Sequence, residues 1–171
     1  MRQHTLTTSR LTLRPLDAGD VEAMIAGINN LEVSKWLTVV PYPYTEQDAL
    51  YFMNTVIPES DGVHYAIDAG NGLIGVIGID PTLGYWLHQD AQGHGFMTEA
   101  AAAVVADHFA GPSTELGSGY FLGNIASRNV LWKLGFSETH REAETCRATG
   151  EQVTLQKVQL TKERWAQCQT R

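Results

Sequence analysis

The chain alternates between short apolar runs of period two and longer apolar stripes of helical spacing, and most of the fold follows from where each begins and stops. Leu11 and Leu13 alternate with polar neighbours and predict a first strand ending near Pro15. Asp17 then stands as a helix cap, and Val21, Met24, Ile25 and Ile28 fall at i, i+3, i+4 and i+7, one stripe that Asn29 and Asn30 interrupt. Trp36 to Tyr44, with Pro41 and Pro43, reads as an aromatic-rich loop of the kind that walls a substrate groove. A second helix follows, capped by Thr45, with Ala49, Phe52, Met53 and Val56 on one face. Val63 to Asp68, Leu73 to Ile79 and Leu83 to His88 are strands broken by Gly70-Asn71-Gly72 and Pro81, an antiparallel meander.

Beyond the meander the pattern changes. Thr98 to Ala110 is apolar nearly all round, as a helix pressed on a sheet should be, and Gly111-Pro112 stops it. A strand near Glu115 to Leu122 must then run parallel to the strand before that helix, one βαβ unit in a mostly antiparallel sheet. A short helix from Ser127 to Leu134, closed by Gly135, and strands around Phe136 to Arg147 and Gln152 to Leu160 complete the pattern. The fold class is therefore α/β in the α+β sense: a mixed, mostly antiparallel twisted sheet with flanking helices, read as one domain over 1–171 without repeat or linker.

Composition narrows the function. The chain has 171 residues, 43% hydrophobic and 18% charged, enough for one stable core. Its net charge of -7 and its scattered basic residues argue against direct nucleic-acid binding, and an acidic surface suits a positively charged acceptor. Cys146 and Cys168 have no metal-ligand spacing and make no disulfide framework, so a reducing cytoplasm is the expected location and no metal is expected. The opening Met1-Arg2-Gln3-His4-Thr5 has no signal-peptide core, and the apolar run Ala100 to Ala106 falls far short of the roughly 20 residues that span a bilayer, so no membrane partner is expected.

The chemistry concentrates in Trp86 to Ala100, which passes from a strand through a glycine turn into a helix. The unpartnered N–H groups of such a turn and of the first helical turn make an anion site. The sequence lacks the Gly-Lys-Ser/Thr ending of a P-loop and the Gly-x-Gly-x-x-Gly of dinucleotide folds. A second segment, Asn124-Ile125-Ala126-Ser127 through Lys133-Leu134-Gly135-Phe136, follows one helix and one strand later.

Together these segments resemble the GCN5-related N-acetyltransferases, in particular the branch of ribosomal-protein N-terminal acetyltransferases. Gln92, Gly95 and Met97 stand at the positions of the family's Gln/Arg-x-x-Gly-x-Gly/Ala pattern, with Met97 where a small residue is usual. The second segment is similar to the more specific Asn-x-x-Ser...Lys-Leu-Gly-Phe signature, and Ser9-Arg10-Leu11-Thr12-Leu13-Arg14-Pro15-Leu16 is similar to the opening of that branch. The resemblance implies acetyl-CoA as acyl donor and a primary amine as acceptor, either a protein N-terminal α-amine or a small amine such as a polyamine, amino acid or aminoglycoside. It implies direct attack in a ternary complex. A CoA-binding module without activity is the alternative of another class.

By the same resemblance, Gln92, Gly93, His94, Gly95, Phe96, Met97 and Thr98 hold the pyrophosphate, Leu87 offers its backbone to the pantetheine arm and the thioester oxygen, and Asn124 contacts that arm. Ser127 matches the position that protonates the departing thiolate in some members, where others use a tyrosine; it also stands where a helix N-cap is expected. Arg128 and Lys133 reach the nucleotide phosphates or merely line an exposed face. The general base stays open among His88, Asp80, His64 and Glu115. An α-amine, with a pKa of about 7.7 to 8.0, is partly neutral without one. Gly117, Gly119 and Gly123 on the later strand widen a groove or loosen that strand. An exposed final strand or the aromatic loop could support a homodimer.

Overall fold

The computed structural model describes residues 3–171. The chain opens with β1 (Leu6–Thr7) and β2 (Thr12–Pro15), then a 3₁₀ turn, Ala18–Asp20, that runs into α1 (Val21–Ile28). Asp17 caps that turn in a reciprocal capping box with Asp20, which fixes where the chain turns from strand into helix. A short α2 (Leu31–Ser34), capped by Asn30, follows where the sequence shows only the end of a stripe. Thr45 caps α3 (Glu46–Tyr51), again with a capping box, and the helix passes through a π-helical stretch, Phe52–Val56, into α4 (Ile57–Glu59). The meander is β3 (Val63–Asp68), β4 (Leu73–Ile79) and β5 (Leu83–Leu87), and α5 (Phe96–Ala110) leads to β6 (Glu115–Phe121). The last elements are α6 (Ile125–Leu134), β7 (Ser137–Thr145), β8 (Gln152–Thr161) and α7 (Lys162–Gln169).

The sheet is split. One part has five antiparallel strands in the order β1-β2-β3-β4-β5, the other three in the order β6-β8-β7. Thr82 stands against Gly117, and the Ser118 hydroxyl donates to the Leu83 carbonyl at 2.8 Å, so β5 and β6 ascend side by side as a βαβ unit requires. No backbone ladder joins them; the buried Ser118 hydroxyl is what the seam offers in its place.

The main core fills the space beneath the seam. Leu13, Ile67 and Ile77 from the strands meet Ala100, Ala101, Val104 and Val105 of α5, all nearly inaccessible. The alanines matter here: a helix with no bulky stripe lies close on the sheet across its width. A second cluster, Met24 with Val76 and Leu73, holds α1 on the opposite face. Gly117 and Gly119 serve this packing, since a β-carbon on Gly117 would meet Thr82 at 3.3 Å and one on Gly119 would meet Leu155 at 3.1 Å. They admit neighbouring side chains, and Gly119, like Gly123, also borders the large cavity of the molecule.

Two expectations are corrected. The domain ends in α7, not in a strand, and β8 lies between β6 and β7, so the last strand has no free edge; β7 is the edge. Among the described residues no helix is long and apolar enough to cross a membrane.

Candidate active site

The strand alternation of β5 decides what faces the seam. The His88 N–H bonds the Ile74 carbonyl at 2.8 Å, on the β4 side, so the backbone groups of Leu83, Tyr85 and Leu87 point the other way. Ser118 occupies the Leu83 carbonyl, and the Gln92 side chain donates to the Leu87 carbonyl at 3.3 Å. The N–H of Leu87 is left facing the opening, in a stretch of backbone that would need a partner. The Leu87 side chain itself is core.

The connection from β5 to α5 is built around two glycines. After a 3₁₀ turn, Gln89–Ala91, Gly93 and Gly95 take φ of +80° and +77°, the left-handed region that side chains avoid. Gly95 is the N-cap of α5, and no side chain caps the helix, so the first N–H groups from Phe96 onward keep their donors for something outside the helix. The loop is held from behind. Arg10 donates to the His94 carbonyl at 2.8 Å and to Glu99 at 2.7 Å, and its guanidinium covers the Phe96 ring at 4.6 Å. Glu99 also accepts from the Thr8 hydroxyl and the Arg10 N–H. Burial alone would raise the Glu99 pKa; these hydrogen bonds outweigh it and hold the carboxyl below its ordinary value.

Of the loop residues singled out in the sequence, Gln92, Gly93, Gly95, Phe96, Met97 and Thr98 line one cavity of about 1010 Å³. Met97 is also largely core. His94 sits on the outer side with its carbonyl turned to Arg10. The same cavity reaches Leu87, Asn124 and Ser127.

Asn124, not Ser127, is the N-cap of α6: its side chain accepts from the Ser127 N–H at 3.2 Å. Ser127 is therefore relieved of capping, and its hydroxyl pairs with the phenol of Tyr85 at 2.9 Å. Sequence reasoning missed Tyr85, because the two residues stand 42 positions apart and no local pattern couples them. Burial pushes the Tyr85 phenol up to about 12, with the Ser127 contact opposing it, so Tyr85 stays a neutral donor at physiological pH.

The base candidates separate by geometry. His88 directs Nε2 at the Ala23 carbonyl, 2.8 Å away, and stacks on Trp86, which makes it a strut between β5 and α1. Glu115 accepts from Gln159 and does not border the cavity. His64 and Asp80 both line the cavity, with Nε2 and Oδ2 3.5 Å apart. Lys133 borders the cavity too, whereas Arg128 lies over the Trp132 ring at 5.2 Å. Among the described residues no cluster of three His, Cys, Asp or Glu side chains could hold a metal ion.

An uncapped helix N-terminus, a strand with unpaired backbone and a hydroxyl pair in one cavity suit a long anionic ligand better than a compact one. The acetyltransferase (GNAT) domain model matches residues 10–137, and the chain belongs to that family of acyltransferase enzymes. It is 29% identical over 147 residues to the uncharacterized N-acetyltransferase YoaA of Bacillus subtilis (strain 168), covering 78% of this chain and 82% of that protein. Among solved structures, Mycobacterium smegmatis RimJ in complex with CoA-disulfide superposes with a TM-score of 0.79 at 19% identity, over 90% of this chain and 82% of that one. RimL, a ribosomal L7/L12 α-N-protein acetyltransferase in complex with coenzyme A, gives 0.81 at 17% identity, over 92% and 98%. These two likenesses are of fold.

Proposed function

We propose that this enzyme transfers an acetyl group from acetyl-CoA to a primary amine, a protein N-terminal α-amine, by direct attack in a ternary complex. The observation that carries the reading is the opening between β5 and β6, which has the uncapped end of α5 at its mouth and the Tyr85–Ser127 pair on its wall within one cavity. The N–H groups of Phe96, Met97 and Thr98, with the backbone of Gln92 to Gly95, would receive the pyrophosphate. Leu87 would pair its backbone with the pantetheine arm as a strand pairs with a strand, and Asn124 would contact the same arm.

Acetyl-CoA brings an activated thioester. The chain's part is to stabilise charge and to exclude water. The Leu87 N–H would donate to the carbonyl oxygen as negative charge gathers on it. Ser127 would donate to the departing sulfur, with Tyr85 donating to Ser127 in turn. Because a thiol has a pKa of about 8.5, that sulfur leaves readily and needs a hydrogen bond more than a strong acid. A polypeptide acceptor is supported at the cavity's rim, where Val39 and Ile125 are 71% and 56% exposed and could flank an extended chain. A neighbour named as an α-N-protein acetyltransferase supports the same acceptor class.

Calorimetric titration with acetyl-CoA and CoA, followed by a thiol-release assay on N-terminal peptides, tests the reading. Micromolar binding with peptide-dependent release is expected. Absence of binding would overturn it.

A further inference from the structure

On the α1 face of the sheet, away from the Tyr85–Ser127 pair, three cross-strand partners lie side by side: His64 on β3, Gly78 on β4 and Gly84 on β5. Gly78 leaves room for the His64 ring, whose Nδ1 lies 2.9 Å from where a β-carbon would stand. Gly84 has nothing within 4 Å of that point, so the strand there has a vacant floor. Phe52, Val56, Val76 and Trp86 border the same cavity, and Phe52 meets the His64 ring edge-on at 5.5 Å. Charge is sparse. Among the described residues lining the cavity the only carboxylate is Asp80, and the other charged side chains are Lys133 and Lys157.

Resting on the acetyl-transfer reading, we propose that this chamber is the acceptor subsite, that it takes a primary amine on an apolar body with no second positive charge, and that the His64–Asp80 pair receives the amine nitrogen. A polyamine or an aminoglycoside would bring several cations to one carboxylate and two lysines, and each unpaired charge would be desolvated against aromatic walls. An α-amine beside an apolar side chain brings one. Asp80 stands at Nε2 of His64, so the ring proton belongs on Nε2 and Nδ1, on the Gly78 side, keeps its lone pair. Desolvation lowers the His64 pKa despite the opposing charge of Asp80, which keeps the ring neutral and able to accept. Asp80 is the charged group beside it; Ser60 and Phe52, the other neighbours, carry none.

The step balances simply. The neutral amine nitrogen bonds to the thioester carbonyl carbon and loses one proton to Nδ1, the carbon–sulfur bond breaks, the thiolate held by the Ser127 hydroxyl takes up one proton from solvent to leave as the thiol, and His64 returns its proton to solvent.

The test measures thiol release from acetyl-CoA with phenylalaninamide, a tetrapeptide beginning with phenylalanine, spermidine and kanamycin. For at least one of the two apolar amines, kcat/KM should exceed that for spermidine and kanamycin on the order of a hundredfold. A better peptide makes the acceptor a polypeptide end, and a better amide makes it a small monoamine. Gly84→Val, a β-branched residue that a strand tolerates, should raise the amine KM about tenfold or more and leave CoA affinity unchanged. In the wild type, log kcat/KM against pH should steepen from a slope of about one to about two at acid pH, where both the amine and His64 are protonated; His64→Gln should keep the single slope. Polycations used as well as the apolar amines, or unchanged amine kinetics in Gly84→Val together with a wild-type profile in His64→Gln, would overturn the proposal. CoA binding without release on any amine would overturn it along with the acetyl-transfer reading.

Discussion

At the level of single side chains, the hydroxyl pair carries the sharpest expectation. If Ser127 faces the sulfur, Ser127→Ala should lower kcat about tenfold or more with CoA affinity little changed, and Tyr85→Phe should lower it by a smaller factor. Equal turnover in both variants, measured by thiol release at saturating donor, would reduce the pair to packing. Because Tyr85 is held to about 12, neither wild type nor Ser127→Ala should show a phenolate-dependent inflection below pH 10. The Arg14–Asp20 pair belongs at this scale too. Asp20 is almost inaccessible, and burial by itself would raise its pKa; two Arg14 hydrogen bonds at 2.8 Å and the Asp17 N–H outweigh that and lower it. A carboxyl lowered in the folded state adds stability that is present above its unfolded value, near 3.9, and is lost as pH falls through the folded one. Urea midpoints should therefore drop in that acid window, and Asp20→Asn should flatten the dependence while costing about 2 kcal/mol or more at neutral pH.

At the level of elements, the connection into α5 is the part most open to test. Gly95→Val places a β-branched residue at φ +77°, where conformation and not crowding is the obstacle, since only Arg10 comes within 4 Å of the added carbon. CoA affinity should fall by at least tenfold in calorimetry while the far-ultraviolet spectrum is retained. Arg10→Ala should loosen the same turn and weaken CoA binding severalfold without touching it directly. This connection was legible in the sequence because glycine, helix start and strand end all fall within one short window. So were β3, β4 and α1, whose apolar periods are clean. By contrast, α7 has Trp165 as its buried residue and offers no apolar stripe to read. The π-helical stretch Phe52–Val56 leaves the helical period that its apolar residues suggest. For Ser127 the sequence offers both a cap and a sulfur-facing role, and the cap falls to Asn124, three residues earlier, whose side-chain oxygen accepts from the Ser127 N–H. The adjacency of His64, Gly78 and Gly84 depends on strand register, which alternation alone does not fix.

Across the whole molecule, the split sheet has an energetic meaning. The β6-β8-β7 half is joined to the other by α5, by the shared core, by the Ser118 hydroxyl at the closed end of the seam, by the Tyr85–Ser127 pair and by the Arg147 N–H on the Thr38 carbonyl, whereas an unbroken ladder would have tied β5 to β6 along its length. Amide hydrogen exchange in the free protein should accordingly show the N–H groups of Tyr85 and Leu87 exchanging early, by local opening and not by global unfolding. A donor laid along that backbone acts as a missing strand. Saturating CoA should then slow those amides, and the thermal midpoint should rise with ligand concentration as linkage demands. The cell's supply of the acyl donor would in this way also set the lifetime of the folded enzyme.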